Sequence, residues 1–529
     1  MARETGLGTP ASPGLAAGVL ARLAPAGAAT RVAGTPAEEA DALARAIARA
    51  IADLTELAER AEPDAAEMLS FQIAMLEDEA LSEGAFAAIA EGNAAERAWA
   101  AALDQEIDGY RSAEDAYFRA RASDLEDMRG RVLRALTNAE ELEIPAGAVV
   151  LGTDLTPSQF LAADWRAGGA ILLTEGSAQA HVAMLARARS VPMVIGLGRV
   201  PDGAREALVD GGSGQVVFDP DASDRQRFHL AQAAASAEAA AIDQFRRKAG
   251  RTGDGTAIKV LINLGDPAEL DDLDPAICDG VGLVRSEFLF YGRDGLPDEE
   301  TQYQAYHRIL TWAAPRPVTI RTLDAGGDKP VPGLTIDSET NPFLGTRGLR
   351  LSLAQPEVFG AQLRALARAA VVGNLRVMLP MVTLPSELDA AAGLLDDAVA
   401  GLAAAGIPHA RPPLGIMVEI PAAALTAADF AADFYSIGSN DLTQYALAAA
   451  RDIGAVARLG DAGHPAVLQL IRATVAAAAA RGVDVSLCGD AGGEPRLIAD
   501  LLRAGLRSLS VAPVAVGRTK AAIAMVHLP

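Results

Sequence analysis

Six histidines stand in 529 residues, and one of them, His181, sits in EGSAQAHVAMLARA (175–188), where a Gly- and Ser-containing loop turns into a helical pattern. A histidine in a helix's first turn faces free backbone N–H groups and the positive end of the helix dipole. That position favours an added anion and disfavours a protonated ring. Such an imidazole suits phosphoryl acceptance. Taken alone, a histidine there is more often structural.

A second set of groups stands at the ends of short apolar runs: Arg285 in GVGLVR, Arg321 in PVTIRTLDAGG, Glu419 in LGIMVEIP, Asn440 and Asp441 in FYSIGSND, and Cys488 in VDVSLCGD. Arg451, Lys329 in GGDK and Arg347 in FLGTRGLR add further cations. Guanidinium forks hold phosphate or carboxylate through paired hydrogen bonds, so converging arginines point to an anionic ligand. The alternative is that each arginine pairs with a nearby carboxylate. Glu419 and Asp441 offer two hard oxygen ligands, a set that suits Mg²⁺ shared with a substrate phosphate; the alternative is ion pairs with the arginines. Cys488 lies among glycines that leave room for a substrate, although on bare sequence a cysteine there is more often an inert buried residue.

These groups need a frame. From residue 256 onward eight strand-like runs alternate with helical patterns: AIKVLINLG, GVGLVR, PVTIRTLDAGG, LRVMLPMV, LGIMVEIP, FYSIGSND, VDVSLCGD and SLSVAP. That alternation predicts a (β/α)₈ barrel, which gathers strand ends around one mouth. Residues 36–137 are helical instead. TPAE at 35–38 gives a Thr cap, a first-turn Pro and a Glu three residues after the Thr, and Leu43, Ile47, Ile51, Leu54 and Leu57 follow at steps of three and four. Four helices are expected, the second running through MLEDE into an acidic end, and together they predict a bundle. GAVVLGTDL, GAILLTEG, VPMVIGLG and the hairpin EALVDGGSGQVVFDP read as short buried strands, with ASPGLAAGVLARL as their amino-terminal partner. The expected domains are a discontinuous α/β domain (1–35 plus 138–221), an inserted all-α domain (36–137), a linker helix (222–252) ending at Gly250, and a barrel (253–529).

Bulk composition narrows the function. Half the residues are apolar and the formal net charge is −23, which argues against nucleic acid and against an anionic membrane surface. Two cysteines form no disulfide framework and no CxxC pattern. No apolar run has signal-peptide or membrane-spanning quality, so a cytoplasmic protein is expected.

The ordered motifs resemble those of the phosphoenolpyruvate–protein phosphotransferases, the Enzyme I family of the bacterial sugar phosphotransferase system. They run from ASPGLAAG through MLEDEAL, DLTPS, HVAMLARA, VGLVRSEFLF, IRTLDAGGDK, NPFLGTRGLR, IMVEIPAA and SIGSNDLTQYALAAARD to LCGDAGG. The resemblance implies a swivelling α/β phosphohistidine domain with an inserted helical bundle, followed by a phosphoenolpyruvate-binding TIM barrel. It implies His181 as phosphoacceptor and Glu419 and Asp441 as Mg²⁺ ligands. Arg285, Arg321, Arg451 and Asn440 would hold phosphate and carboxylate, with Lys329 and Arg347 in support. Cys488 would protonate the enolate carbon to give pyruvate. The phosphoryl group would pass on to an HPr-type carrier docked on the helical insert, and the enzyme would be a homodimer through the barrel. This chain departs from the family where a Thr-Ser pair usually precedes the histidine (here Gln179 and Ala180), and carries Val182, Ile420 and Asp490 at three further usual positions. It also stops soon after the eighth strand. Competing readings are a pyruvate phosphate dikinase or phosphoenolpyruvate synthase relative, for whose ATP-grasp domain the amino-terminal part has no room, and a non-turnover regulatory protein of the same fold.

Overall fold

The computed structural model describes all residues except 1–2, 24–32, 61–62, 113–115, 139–143, 177–180, 199, 291–294, 328–330, 336–338, 340, 451–455, 457–458 and 529, and leaves out the side chains of 59–60, 63–68, 111–123, 181 and 188. Its contacts divide into two units, Met1–Ala235 and Ser236–Pro529.

The first unit starts with strands β1 (Glu4–Leu7), β2 (Thr9–Ser12) and β3 (Leu15–Arg22), then passes through five helices. These are α1 (Pro36–Arg60), α2 (Pro63–Glu77), α3 (Glu79–Ala90), α4 (Ala95–Ser112) and α5 (Ala116–Thr137). Helix α1 opens on the expected cap: Thr35 N–H donates to Glu38 at 2.7 Å and Glu38 N–H donates back to the Thr35 hydroxyl at 3.4 Å. Five helices replace the expected four. The second helix ends at the acidic stretch as read, and the additional helix is α3, which starts there because the Asp78 carboxylate accepts the Ala80 N–H at 2.9 Å. The stripes converge on one core of Leu43, Leu54, Leu69, Ile89, Trp99, Leu103, Leu125 and Met128.

The chain then returns to the sheet with β4 (Val149–Gly152), helix α6 (Pro157–Ala162), β5 (Ala170–Leu173), helix α7 (His181–Ala188), β6 (Met193–Ile195), β7 (Glu206–Asp210) and β8 (Gln215–Phe218). Strand order is β1-β8-β7-β3-β4-β5-β6-β2, parallel across β3 to β6 and antiparallel at the flanks. Period-two alternation sorts the two faces. Val149, Leu151, Ala170 and Leu172 pack on one, while Val150, Ile171 and Leu173 pack on the other with Val182, Ala183 and Ala186 of α7. The β7–β8 hairpin turns at Gly214 (φ +77°), where a Cβ would lie 2.2 Å from Gly8 O, so only glycine fits. The bundle is tied to this domain by buried Asp127, whose carboxylate accepts the Ser158 hydroxyl at 2.7 Å and the Ser158 N–H at 3.2 Å.

Helix α8 (Ala222–Arg246) ends four residues before the expected Gly250, its last carbonyl accepting from Lys520 Nζ at 2.9 Å. The second unit is a closed barrel of β9 (Lys259–Leu264), β10 (Val281–Arg285), β11 (Val318–Arg321), β12 (Leu375–Leu379), β13 (Leu414–Val418), β14 (Phe434–Ile437), β15 (Asp484–Leu487) and β16 (Ser508–Val511). Every neighbouring pair is parallel, β16 with β9 included. All eight expected runs are strands of this barrel. Outward residues such as Val260, Ile262, Val377, Ile416, Ile437 and Leu487 join the large core under the helices. A separate inner cluster holds Leu283, Met378, Met417, Phe434 and Cys488, the filled interior that such barrels require.

Candidate active site at the barrel mouth

Parallel strands leave their carboxyl ends on one side, and there a cavity of about 550 Å³ is lined by Arg285, Glu287, Arg321, Met417, Glu419, Asn440, Asp441 and Cys488, with the backbones of Gly265, Gly438 and Gly489. Arg285 and Arg321 are the last residues of β10 and β11. Glu419 directly follows β13 and Cys488 directly follows β15. Asn440 and Asp441 lie one step beyond the strand end where the sequence puts them, in the first turn of helix Ser439–Leu447 after β14.

The arginines do not converge as free cations. Arg321 is 4% exposed and pairs with Glu287 and, at 3.2 Å, with Asp324. Arg347, fully buried, does not line the cavity. Its Nε and Nη2 donate to Asp324 at 3.0 Å each, and Nη1 and Nη2 donate to the two Asp441 oxygens at 3.3 Å each. Arg347 therefore orients Asp441 rather than reaching a ligand, and one of the two carboxylates carries the ion pair that sequence leaves open. Burial alone would lower both guanidinium pKa values, but the charges of Glu287 and Asp324 on Arg321, and of Asp324 and Asp441 on Arg347, raise them. Arg285 is exposed and makes no ion pair among the described residues. Lys329 and Arg451 lie outside the described residues.

Glu419 is the odd member. It is 1% exposed, its Oε1 accepts the Met381 N–H at 2.7 Å, and its Oε2 has no hydrogen-bond partner. Burial first, then the charges of Asp441 and Asp324, push its carboxyl up to about 8. Gly438 makes the space beside that free oxygen, since a Cβ there would stand 2.9 Å from Oε2. Four buried carboxylates (Glu287, Asp324, Glu419, Asp441) face two buried guanidiniums (Arg321, Arg347), a formal excess of two negative charges. An excess of that size is costly in a low-dielectric interior unless a cation or protons offset it. Among the described residues, no group of three or more His, Cys, Asp or Glu side chains could hold a metal ion alone.

Cys488 is 3% exposed and burial pushes its thiol up to about 11, so the sulfur keeps its proton at neutral pH. Asn440 and Asp490 hold each other: Asn440 Nδ2 donates to the Asp490 carboxylate and Asp490 N–H donates to Asn440 Oδ1, both at 2.9 Å. In the other unit, His181 is the first residue of α7, an eight-residue helix.

Sequence reasoning missed Glu287, Asp324 and the Met381 backbone. Asp324 follows strand-end Arg321 by three residues in IRTLD, a spacing that could have flagged it as that arginine's partner. Glu287 follows Arg285 by two in VRSEF but pairs with Arg321 of the next strand, which no spacing shows. Met381 carries no such signal. It adopts φ +57° without being glycine, a conformation only tertiary packing sets.

Three family models match: the PEP-utilising enzyme PEP-binding domain over residues 239–528, the PEP-utilising enzyme mobile domain over 144–214, and the PEP-utilising enzyme N-terminal domain over 7–121. A phosphoenolpyruvate-protein phosphotransferase of Haloferax volcanii is 40% identical over 483 residues, 88% of this chain and 83% of that one. A multiphosphoryl transfer protein of Rhodobacter capsulatus is 38% identical over 84% of this chain and 54% of its own length. A phosphoenolpyruvate-protein phosphotransferase of Lactococcus lactis is 36% identical over 77% of this chain and 73% of its own.

Proposed function

Because this chain belongs to the phosphoenolpyruvate–protein phosphotransferase family, we propose that its barrel cavity binds phosphoenolpyruvate with Mg²⁺, that the phosphoryl group passes to His181, and that an HPr-type carrier takes it from there. The observation that carries this reading is an exposed arginine, without an ion pair among the described residues, beside a buried carboxylate set formally two charges in excess. The excess attracts a divalent cation, and the arginine attracts an anion to the same cavity.

Glu419 and Asp441 would hold Mg²⁺, with remaining positions left to substrate oxygens and water, the usual arrangement for an ion that keeps few protein ligands. When bound, the ion neutralises charge on the phosphoryl oxygens and the enolate. The orphan Oε2 of Glu419 and the missing side chain at Gly438 fit that role. Arg285, Arg321, Asn440 and Arg451 hold the phosphate and carboxylate, with Lys329 in support. Arg321 reaches its place pre-oriented by Glu287 and Asp324, so little orientational freedom is lost on binding.

Phosphoryl transfer between positioned oxygens and nitrogen needs alignment and charge neutralisation more than covalent chemistry by the protein. The protein's proton work falls to Cys488. Its buried, protonated thiol gives a proton to the enolate carbon, so that pyruvate leaves. His181, at the start of α7, receives the phosphoryl group where first-turn N–H groups favour negative charge. The five-helix insert docks the carrier, and two copies pair through the barrel, to be checked by sedimentation at twice the 54.5 kDa chain mass.

Incubation with ³²P-labelled phosphoenolpyruvate and Mg²⁺ should give an acid-labile, alkali-stable phosphoprotein, and His181→Ala should abolish it. Undiminished labelling of that variant would sink the assignment of His181.

A further inference from the structure

The helix Pro356–Ala369, between β11 and β12, buries Phe359, Leu363 and Leu366, and one amide sits among them: Gln362, 1% exposed. A buried amide is costly unless its hydrogen bonds are made, and this one makes three. Its Oε1 accepts the Leu323 N–H at 3.0 Å, and its Nε2 donates to the Ser286 hydroxyl at 3.2 Å and to the Tyr306 hydroxyl at 3.0 Å. A backbone N–H can only donate, so the Leu323 bond fixes which end of the amide is the oxygen.

Two of these bonds reach the residues directly before Glu287 and Asp324, the carboxylates that hold Arg321. Backbone pairing of β10 with β11 ends at Arg285 and Arg321. Beyond that pair, among the described residues, no backbone hydrogen bond joins segment 286–290 to segment 322–325. Gln362 spans this gap. Arg321 depends on it, because Nη2 goes to Glu287 and Nη1 to Asp324, one carboxylate from each segment. The tilt of a planar guanidinium held at two nitrogens follows the separation of its two holders. Gln362 itself does not line the cavity. The third bond leads away: Tyr306 donates to Gln302 Oε1 at 3.4 Å and Gln302 Nε2 donates to the Pro297 carbonyl at 3.2 Å, a branch that reaches no residue lining the cavity.

We propose that Gln362 is a positioning residue: it sets the separation of the segments after β10 and β11, and thereby the angle at which Arg321 meets the phosphoryl group. The inference rests on the reading that Arg321 binds phosphoenolpyruvate in this cavity. A helix outside the barrel then helps align a guanidinium at its mouth through two backbone segments and two carboxylates.

The rate of labelling by ³²P-phosphoenolpyruvate at saturating Mg²⁺, measured over a range of substrate concentrations, tests this against plain loss of packing. Gln362→Met keeps the length of the side chain and removes all three bonds. Its maximal rate should fall about tenfold or more, with the half-saturating concentration changed less than about threefold. Ser286→Ala removes one bond on the cavity side and should lose a smaller factor. Tyr306→Phe removes the bond that leads away, from the same buried network, and should keep the wild-type rate. In an Arg321→Lys background, Gln362→Met should slow labelling by no more than about a further twofold, because its effect runs through the guanidinium.

A wild-type chain that takes no label, or an Arg321→Lys chain that labels at the wild-type rate, would sink the underlying reading and the positioning role with it. A slow Arg321→Lys beside a wild-type rate in Gln362→Met would overturn the positioning role alone. Equal losses in Gln362→Met and Tyr306→Phe, or an undiminished loss in the Arg321→Lys background, would do the same. If Gln362→Met does not fold, Ser286→Ala decides against Tyr306→Phe: a loss in the first alone supports the role, and equal rates overturn it.

Discussion

In the barrel, six ionisable side chains from four strand–helix junctions share one buried network, each held by at least one other charge or backbone group. In the amino-terminal unit, the chemistry is assigned to one imidazole at the start of a helix whose place is fixed by Val182, Ala183 and Ala186 instead. In the first region the residues that hold the mouth together are also those proposed for the chemistry; in the second, Val182, Ala183 and Ala186 hold the helix on which the proposed phosphoacceptor stands. Substitution should therefore affect stability and chemistry together at the mouth, and chemistry alone at His181.

The largest effect expected from this contrast is on Arg347. Arg347→Ala strips buried Asp441 of its guanidinium and leaves Asp324 with Arg321 in place of two cations, a loss of about 3–5 kcal/mol in stability. His181→Ala, by contrast, should change stability by no more than about 0.5 kcal/mol. Chemical denaturation of both variants measures this directly. An Arg347→Ala protein that unfolds at the wild-type midpoint would break the comparison, because the network would then be decorative.

Glu419 gives the next largest effect, and it depends on pH. Its carboxyl is pushed up to about 8 from the ordinary 4.5, so the folded metal-free protein keeps a proton that the unfolded chain releases. Folding then binds more protons than unfolding, and stability falls as pH rises from about 4.5 toward 8. The metal-free melting temperature should drop across this window, and added Mg²⁺ should recover more stability at pH 8 than at pH 6. In Glu419→Gln the slope should flatten and the Mg²⁺ response vanish, while turnover falls about a hundredfold or more. A Glu419→Gln protein that keeps the full slope would assign the titration to another group.

These two regions also differ in how far they could be read beforehand. Barrel strands are legible because each is a short apolar run, several of which stop at a polar residue, and the closed sheet leaves none of these strands unpaired. β1 was not legible: ETGL has neither apolar alternation nor length, and it is a strand only because β8 offers it an edge. Helix α3 was not legible as a separate helix, although the end of α2 was, since a new start depends on the Asp78 carboxylate pointing back to the Ala80 N–H. At the mouth, residue types announced Glu419, Asp441, Arg321 and Cys488, whereas partner choice was not visible. Arg347 therefore reads from sequence as a ligand contact, although Asp324, Asp441 and the Tyr445 hydroxyl occupy it. Charge is written in the sequence; what neutralises it is decided by packing.

The smallest effect is expected at the rim of the mouth, and it sets the scale for the others. Asp490 holds Asn440 through two hydrogen bonds, but only one uses its side chain; the other is its backbone N–H, which any residue except proline keeps. Asp490 is exposed, so the lost bond is exchanged for one to water. Asp490→Ala should cost less than about 1 kcal/mol, read as a rise of a few-fold in the apparent KM for phosphoenolpyruvate with kcat nearly unchanged. Steady-state kinetics at saturating Mg²⁺ separates the two constants. A fall in kcat of a hundredfold would mean that Asp490 acts on the reacting groups themselves, and the division between a buried, committed network and a forgiving rim would have to be redrawn to include it.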